Sequence, residues 1–305
     1  MQVMDRVRSE DGDLFSFESF TGGLIAPETD PGNPWRYKFT WNPRNVVMAG
    51  QGTARFLQEG QYKYIPYQQL FKRITPVEVP GYGKYEGYAN RDSLGYRSLY
   101  GLQGIKTMLR GTLRNDGFCA AWDVLVQLGC TDDTYPMEGV ESMTHRSFLN
   151  AFTGYHAARK LEEKISSQLG LAVDGPELAR LKWSGLFEDT PVGLNEGTPA
   201  QVLEHILNKK WKLEPNDKDM IIMWHRFRYA KDGRGNEIQA TLVAKGDDST
   251  RTAMAKTVGL PLGIAARLIL EGKIKARGVV VPVTREFYDP ILAELKTQGI
   301  ELTEK

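Results

Sequence analysis

Cysteine is scarce: Cys119 and Cys130 are the only two in 305 residues. Two cannot build a disulfide framework or a cysteine-based zinc site. They point instead to a reducing, cytoplasmic compartment. Net charge is almost absent, with 39 Lys and Arg against 38 Asp and Glu. Such a chain has no global electrostatic footprint for nucleic acid or an anionic membrane, so neither partner is expected. Long hydrophobic runs are missing too. The most apolar stretch, Gly259 to Leu270, is short and carries Pro261 and Arg267, so no bilayer span is expected. The opening MQVMDRVRSEDGD has no apolar core of a secretory signal.

Catalytic signatures are equally thin. His145, His156, His205 and His225 fall on separate expected elements with no His-Glu-x-x-His or paired-cysteine spacing, so no metal is expected. There is no Gly-x-Ser-x-Gly elbow and no Walker motif. Gly81, Gly83 and Gly87 miss the dinucleotide fingerprint by one position. Cys119 reads as a buried structural thiol. What the chain does have is average globular composition, 41% apolar and 25% charged. Its length suits two or three subdomains around a substantial core.

Alternation in LFSFESF predicts a strand over Leu14–Phe20, running into Gly22-Gly23. Asn42 and Pro43 are placed to cap and open a helix through Leu57. Short strands are expected at Tyr62–Pro66, within the loops of Tyr82–Arg97, and at Thr107–Arg114. Trp35, Tyr37, Phe39 and Trp41 alternate as on a strand edge. Helices are expected at Phe118–Leu128, at Ser147–Leu169 as one long element, at about Pro176–Phe187, and at Pro199–Trp211 behind Thr198. Met220–Tyr229 and Glu237–Ala244 read as a hairpin joined by residues 230–236. A helix over Ser249–Lys273, interrupted at 259–261, a buried strand at Gly278–Val283 and a helix at Phe287–Gln298 complete the pattern. Strands flanking a helical middle predict an α+β fold: a mixed sheet with flanking helices and a mainly helical insertion. The expected division is a substrate-binding part at 1–130, the insertion at 131–215, the hairpin at 216–250 and a return segment at 251–305.

One constellation carries chemistry. On a strand, Arg110, Thr112 and Arg114 share one face while Leu113 points to the other. Two guanidiniums and a hydroxyl suit carboxylates, and Arg91 in Asn90-Arg91-Asp92-Ser93 can add a third cation. Backbone amides at the helix start near Asp116-Gly117 would extend this anion site. Ordinary surface ion pairs on a solvated face are the competing reading.

These residues lie in blocks that resemble a known family. SFESFTGGLIAPE at 16–28, YKFTWNPR at 37–44, YANRDS at 88–93, RGTLRNDGF at 110–118 and TAMAKTVGLP at 252–261, leading to GVVVP at 278–282, run in the order found in the saccharopine dehydrogenases. The chain is similar to the carboxy-terminal catalytic and dimerisation part of the glutamate-forming enzymes of lysine metabolism. The resemblance implies an NADP- or NAD-linked oxidoreductase interconverting saccharopine with glutamate and 2-aminoadipate 6-semialdehyde. It implies substrate contacts at Arg91, Thr112, Leu113 and Arg114, which Arg110 would join, and a nicotinamide pocket near Ser19, Phe20 and Gly22. It implies a homodimer formed through the sheet. Family members begin with a Rossmann domain. The chain is therefore expected to be the portion beyond it, with Met1 inside a family helix and the segment from about Gly259 returning to that domain. The family's acid and base groups at the nicotinamide come largely from that domain, so no catalytic residue is assigned here. Two other readings remain open: a lysine 6-dehydrogenase or carboxynorspermidine-type reductase, and a non-catalytic anion-binding or oligomerisation module.

Overall fold

A computed structural model describes all residues, 1–305. A short helix, α1 (Gln2–Ser9), leads into the long strand β1 (Asp13–Ile25). Its alternation extends past the expected strand because Gly22 lets β1 run close to a neighbour: a Cβ there would lie 2.9 Å from that of Leu113. Asn42 and Pro43 do open a helix, α2 (Pro43–Val47), with the Asn42 side chain accepting from the Asn45 amide. It does not continue to Leu57. Gly50 and Gly52 take positive φ of 84° and 90°, and Ala54–Gln58 is strand β2, followed by β3 (Gln61–Ile65). After α3 (Tyr67–Leu70) come β4 (Thr75–Val79), β5 (Gly83–Ala89) and β6 (Thr107–Asn115).

Helices α4 (Phe118–Leu128), α5 (His145–Asn150), α6 (Leu161–Leu169), α7 (Pro176–Trp183) and α8 (Pro199–Trp211) follow. The single helix expected over 147–169 is two helices. Thr144 and Ser147 form a capping box that fixes the first, and Glu163 accepts from the Lys160 amide at the start of the second. The intervening segment contains Gly154, which favours a break. Strands β7 (Asp219–Lys231) and β8 (Arg234–Lys245) then form a hairpin tighter than expected. Its turn is Asp232-Gly233, both with positive φ, as a two-residue hairpin turn requires. Helices α9 (Ala253–Leu270) and α10 (Arg285–Thr297) and the short strand β9 (Thr303–Glu304) close the chain.

The nine strands make one mixed sheet in the order β3-β2-β6-β1-β7-β8-β9, with the β4–β5 hairpin attached to β6. Only β1 and β6 run parallel; every other pairing is antiparallel. This is the α+β architecture with flanking helices that the element pattern predicts.

Residues 35–41 are not a strand edge. Asn33 accepts from the Trp35 amide and donates to the Tyr37 carbonyl, and the Trp35 indole donates to the Arg180 carbonyl. The segment is thereby held in an irregular path. Trp35, Tyr37 and Phe39 pack with Trp211 at ring-centroid distances of 5.1–5.3 Å. They join a continuous buried cluster of 48 residues shared by the sheet and helices α4 to α8. The exposed Trp41 lies outside it.

The carboxy-terminal segment differs most from expectation. Helix α9 runs unbroken through Pro261, and by length and composition it reaches what a bilayer-crossing helix needs. It packs on β7 and β8 through Ala253, Ile264 and Leu268 while Val258, Leu262 and Leu270 stay exposed. Gly278–Val283 is not a buried strand. No strand pairs with it, β9 occupies the β8 edge, and Val279, Val280 and Val281 face solvent.

Candidate anion-binding site

The register of β6 sets the site. Arg110, Thr112 and Arg114 alternate onto one pleat side, and Ser19 and Thr21 of β1 lie beside Arg110 and Thr112 on that side. Tyr88 and Glu86 of β5 flank Thr112 and Arg114 from the opposite edge. Gly111 makes the close approach possible on the other side, since a Cβ there would sit 2.3 Å from the Phe20 ring and 2.6 Å from the Tyr88 carbonyl oxygen.

Arg114 is the most constrained of the three. It is 4% exposed, yet no carboxylate lies within salt-bridge distance. Its guanidinium carbon stands 5.0, 5.2 and 5.8 Å from the ring centroids of Tyr37, Phe118 and Tyr88. One Nη donates to the Leu113 carbonyl at 2.9 Å, and Nε has no partner. The neighbouring Tyr37 hydroxyl is also buried and unpartnered, and burial pushes its pKa up to about 12, so it remains a proton donor. A buried cation faced by aromatic rings and an unused donor calls for an anion.

The loop carrying Arg91 continues β5 along the edge of β6 beside Arg110. The Asn90 amide donates to the Arg110 carbonyl, and the Ser93 hydroxyl accepts from the Arg110 amide at 2.9 Å. Arg91 itself is exposed with φ of 49°. Arg110 stacks on Tyr96, 3.9 Å from guanidinium carbon to ring centroid. Neither Arg91 nor Arg110 forms an ion pair; the loop's Asp92 pairs with Arg55 instead, at 2.9 Å. Arg110 and Arg114 are four residues apart, so their backbones are separated by roughly 13 Å along the strand. That spacing suits an elongated ligand with carboxylates at both ends.

Four expectations need correction. The amides at the start of α4 are not free for a ligand: the Glu86 carboxylate accepts from Gly117 and Cys119 at 2.8 Å each. The Leu113 side chain is fully buried on the opposite face and cannot reach a substrate bound by Thr112. The Phe20 side chain likewise turns away from Ser19 into the core. Gly22 is packed against Leu113 and leaves no open cradle, and a Cβ on Gly23 would meet Thr40 and Met254.

In the sequence, His225 is weighed only as a metal ligand and given no role at the site. It lies across from Ser19 in the β1–β7 register, with Nδ1 2.9 Å from the Ser19 hydroxyl. Both line a cleft of about 620 Å³ with Phe17, Tyr100 and Leu242. The cleft does not include the arginines; it meets them through Tyr100, whose ring is 5.6 Å from that of Tyr96 under Arg110. Pairing of an Ser with a His two hundred residues away leaves no local sequence signal.

Burial lowers the His225 pKa from 6.5 to about 4. Between those values the unfolded chain takes up a proton that the folded chain refuses, so stability falls as pH drops through that window and levels off below it. For this half-buried ring the loss is at most about 3 kcal/mol. Urea unfolding at pH 7 and pH 4.5 is expected to show a smaller pH-dependent loss in His225→Gln than in the parent. Equal losses would contradict the assignment.

The residues present do not fit a dinucleotide. The single parallel strand pair is not a compact strand–helix–strand unit with a glycine cradle, and the glycines of β1 are filled by neighbouring atoms. Fold and geometry together define an α+β domain with Arg110 and Arg114 on one strand face, running from a partly exposed to a buried guanidinium.

The family model for the saccharopine dehydrogenase C-terminal domain matches residues 1–300. The chain belongs to that family, as the motif order indicated. It is 34% identical over 317 residues to saccharopine dehydrogenase [NADP(+), L-glutamate-forming] of Saccharomyces cerevisiae, covering 100% of this chain and 70% of that one. It is 35% identical over 309 residues to the mitochondrial alpha-aminoadipic semialdehyde synthase of Mus musculus, covering 98% of this chain. The chain spans 33% of the length of that synthase. The solved apo saccharopine dehydrogenase (L-Glu forming) from Saccharomyces cerevisiae superposes with a TM-score of 0.87 at 31% identity, covering 100% of this chain and 69% of that one.

Proposed function

We propose that this chain is the substrate-binding portion of an NADP- or NAD-dependent saccharopine dehydrogenase of lysine metabolism. The observation that carries this reading is the buried, unpaired Arg114 on the same strand face as Thr112 and Arg110, with Arg91 exposed on the adjoining loop. Saccharopine bears three carboxylates, and three guanidiniums without internal counter-ions match that number. Lysine and carboxynorspermidine carry fewer carboxylates, so the arginine count favours saccharopine over both.

In the proposed division of labour, Arg114 holds the innermost carboxylate within its aromatic cage, Thr112 donates beside it, and Arg110 and Arg91 hold the outer carboxylates. Charge-assisted bonds at both ends fix the long axis of the substrate and so place its secondary amine above Thr21 of β1. The nicotinamide cofactor supplies hydride chemistry when bound, and its phosphates are held by a separate nucleotide-binding unit. The exposed apolar side of α9 and Val279–Val281 support a docking surface for that unit, since such patches rarely stay bare. The free, buried Cys119 and Cys130 suit a reducing compartment.

Steady-state saccharopine oxidation by the enzyme that joins this chain to its nucleotide-binding unit tests the reading. Arg91→Ala and Arg110→Ala are each expected to raise KM by about tenfold or more, with kcat changed far less. Unchanged kinetics in both variants would remove these arginines from the substrate site.

A further inference from the structure

The arginine line accounts for carboxylates, but saccharopine also carries one primary ammonium group, which guanidiniums repel. Resting on the substrate reading above, we propose that Ser19 and His225, with the aromatic rings around them, bind the primary ammonium of the amino-acid substrate.

Register places the pair correctly for this. Arg110 of β6, Ser19 of β1 and His225 of β7 lie side by side across three neighbouring strands. Adjacent strands are about 4.8 Å apart, so His225 stands roughly 10 Å from Arg110 at the backbone. An amino acid whose carboxylate is held by the long Arg110 side chain presents its ammonium toward this row. Phe17 stacks 6.4 Å from His225, Phe227 lies 6.4 Å away, and Tyr100 lies 6.3 Å from Phe17. Aromatic faces and neutral acceptors suit a cation, and they do so without a fixed charge.

The electrostatics agree. The imidazole is neutral at physiological pH because burial disfavours its charged form, so it does not oppose an ammonium. In the tautomer that donates Nδ1–H to Ser19 Oγ, Nε2 is an unprotonated acceptor, and this is the form the proposal uses. The charged groups lining the same cleft are Asp289, Glu301, Glu304, Lys296 and the Met1 α-ammonium; Lys296 pairs with Glu301 and Arg6 with Glu304, so these charges largely cancel and the cleft carries no strong fixed charge. The site is thus polarised, with cations on β6 and neutral acceptors and π faces on the β7 side.

Titration calorimetry with two ligands tests the proposal: saccharopine, and its analogue with hydrogen in place of the primary amino group. The parent is expected to bind saccharopine about tenfold or more tightly than the analogue. His225→Leu should bring saccharopine down to the analogue's affinity while leaving the analogue unchanged. His225→Gln, which retains an acceptor and controls for folding, should recover part of the preference. If His225→Leu weakens both ligands equally, or neither, or if the parent does not discriminate, the ammonium site is wrong and the arginine assignment stands. If the parent binds neither ligand, the substrate reading itself fails and takes this proposal with it.

Discussion

Arg114→Met is expected to weaken ligand binding by roughly 30-fold or more while leaving the fold as stable as before, or more so. An unpaired guanidinium inside a protein is held at the expense of its hydration, and replacing a buried charge by an apolar side chain of similar volume is often neutral or stabilising by about 1–4 kcal/mol. Here the aromatic faces of Tyr37, Phe118 and Tyr88 offset part of that cost, but no carboxylate does. The ligand must supply the missing anion. Removing one partner of a buried charge pair costs about 2–5 kcal/mol, so affinity for saccharopine should fall roughly 30-fold to several thousandfold. Thermal unfolding with and without saccharopine reads both effects together. The parent should show a ligand-dependent rise in Tm, and Arg114→Met should show a much smaller one from an equal or higher starting point. A variant that unfolds early and responds to saccharopine as the parent does would make Arg114 a structural residue.

Asp219→Ala should be among the most destabilising single substitutions outside the core. The Asp219 carboxylate is fully buried and accepts from the amides of Ala253 and Met254 at 2.5 and 2.9 Å, fastening the first turn of α9 to the start of β7. Gly246 leaves the room it needs, since a Cβ there would lie 2.2 Å from Oδ1. Losing a charged acceptor from one buried and one part-buried amide costs about 3 kcal/mol. Helix α9 has only a narrow packed stripe, so the damage should concentrate there. Urea unfolding and hydrogen exchange are expected to show a lower midpoint, with the α9 amides losing protection first. Asp219→Asn, which keeps one acceptor oxygen, should fall between. Unchanged exchange along α9 in Asp219→Ala would contradict the anchoring role.

The parts of the site legible in the sequence were those set by local periodicity. Arg110, Thr112 and Arg114 share a face because strands alternate, and Phe118–Leu128 and Pro199–Trp211 end where their caps and glycine or proline signals stand. What could not be read depended on contacts distant in the chain. Glu86 claims the amides of α4 from 31 and 33 residues away, and Ser19 meets His225 across 206. Residues 35–41 have the composition of a strand, yet Asn33 and Trp211 bend them into a buried irregular path. The valines at 279–281 have strand composition without a strand to pair with. The Phe20 and Leu113 side chains turn to the faces opposite the half-buried Ser19 and Thr112 by strand alternation, which the motif alone does not distinguish from ligand contact.

The account turns on one division: substrate carboxylates bind to this chain, and the dinucleotide binds elsewhere. Separate calorimetric titrations of the chain with saccharopine and with NADPH test it directly. Saccharopine is expected to bind, glutamate more weakly because it offers two carboxylates to three guanidiniums, and NADPH to give no heat of binding. Tight NADPH binding with no response to saccharopine would contradict the account.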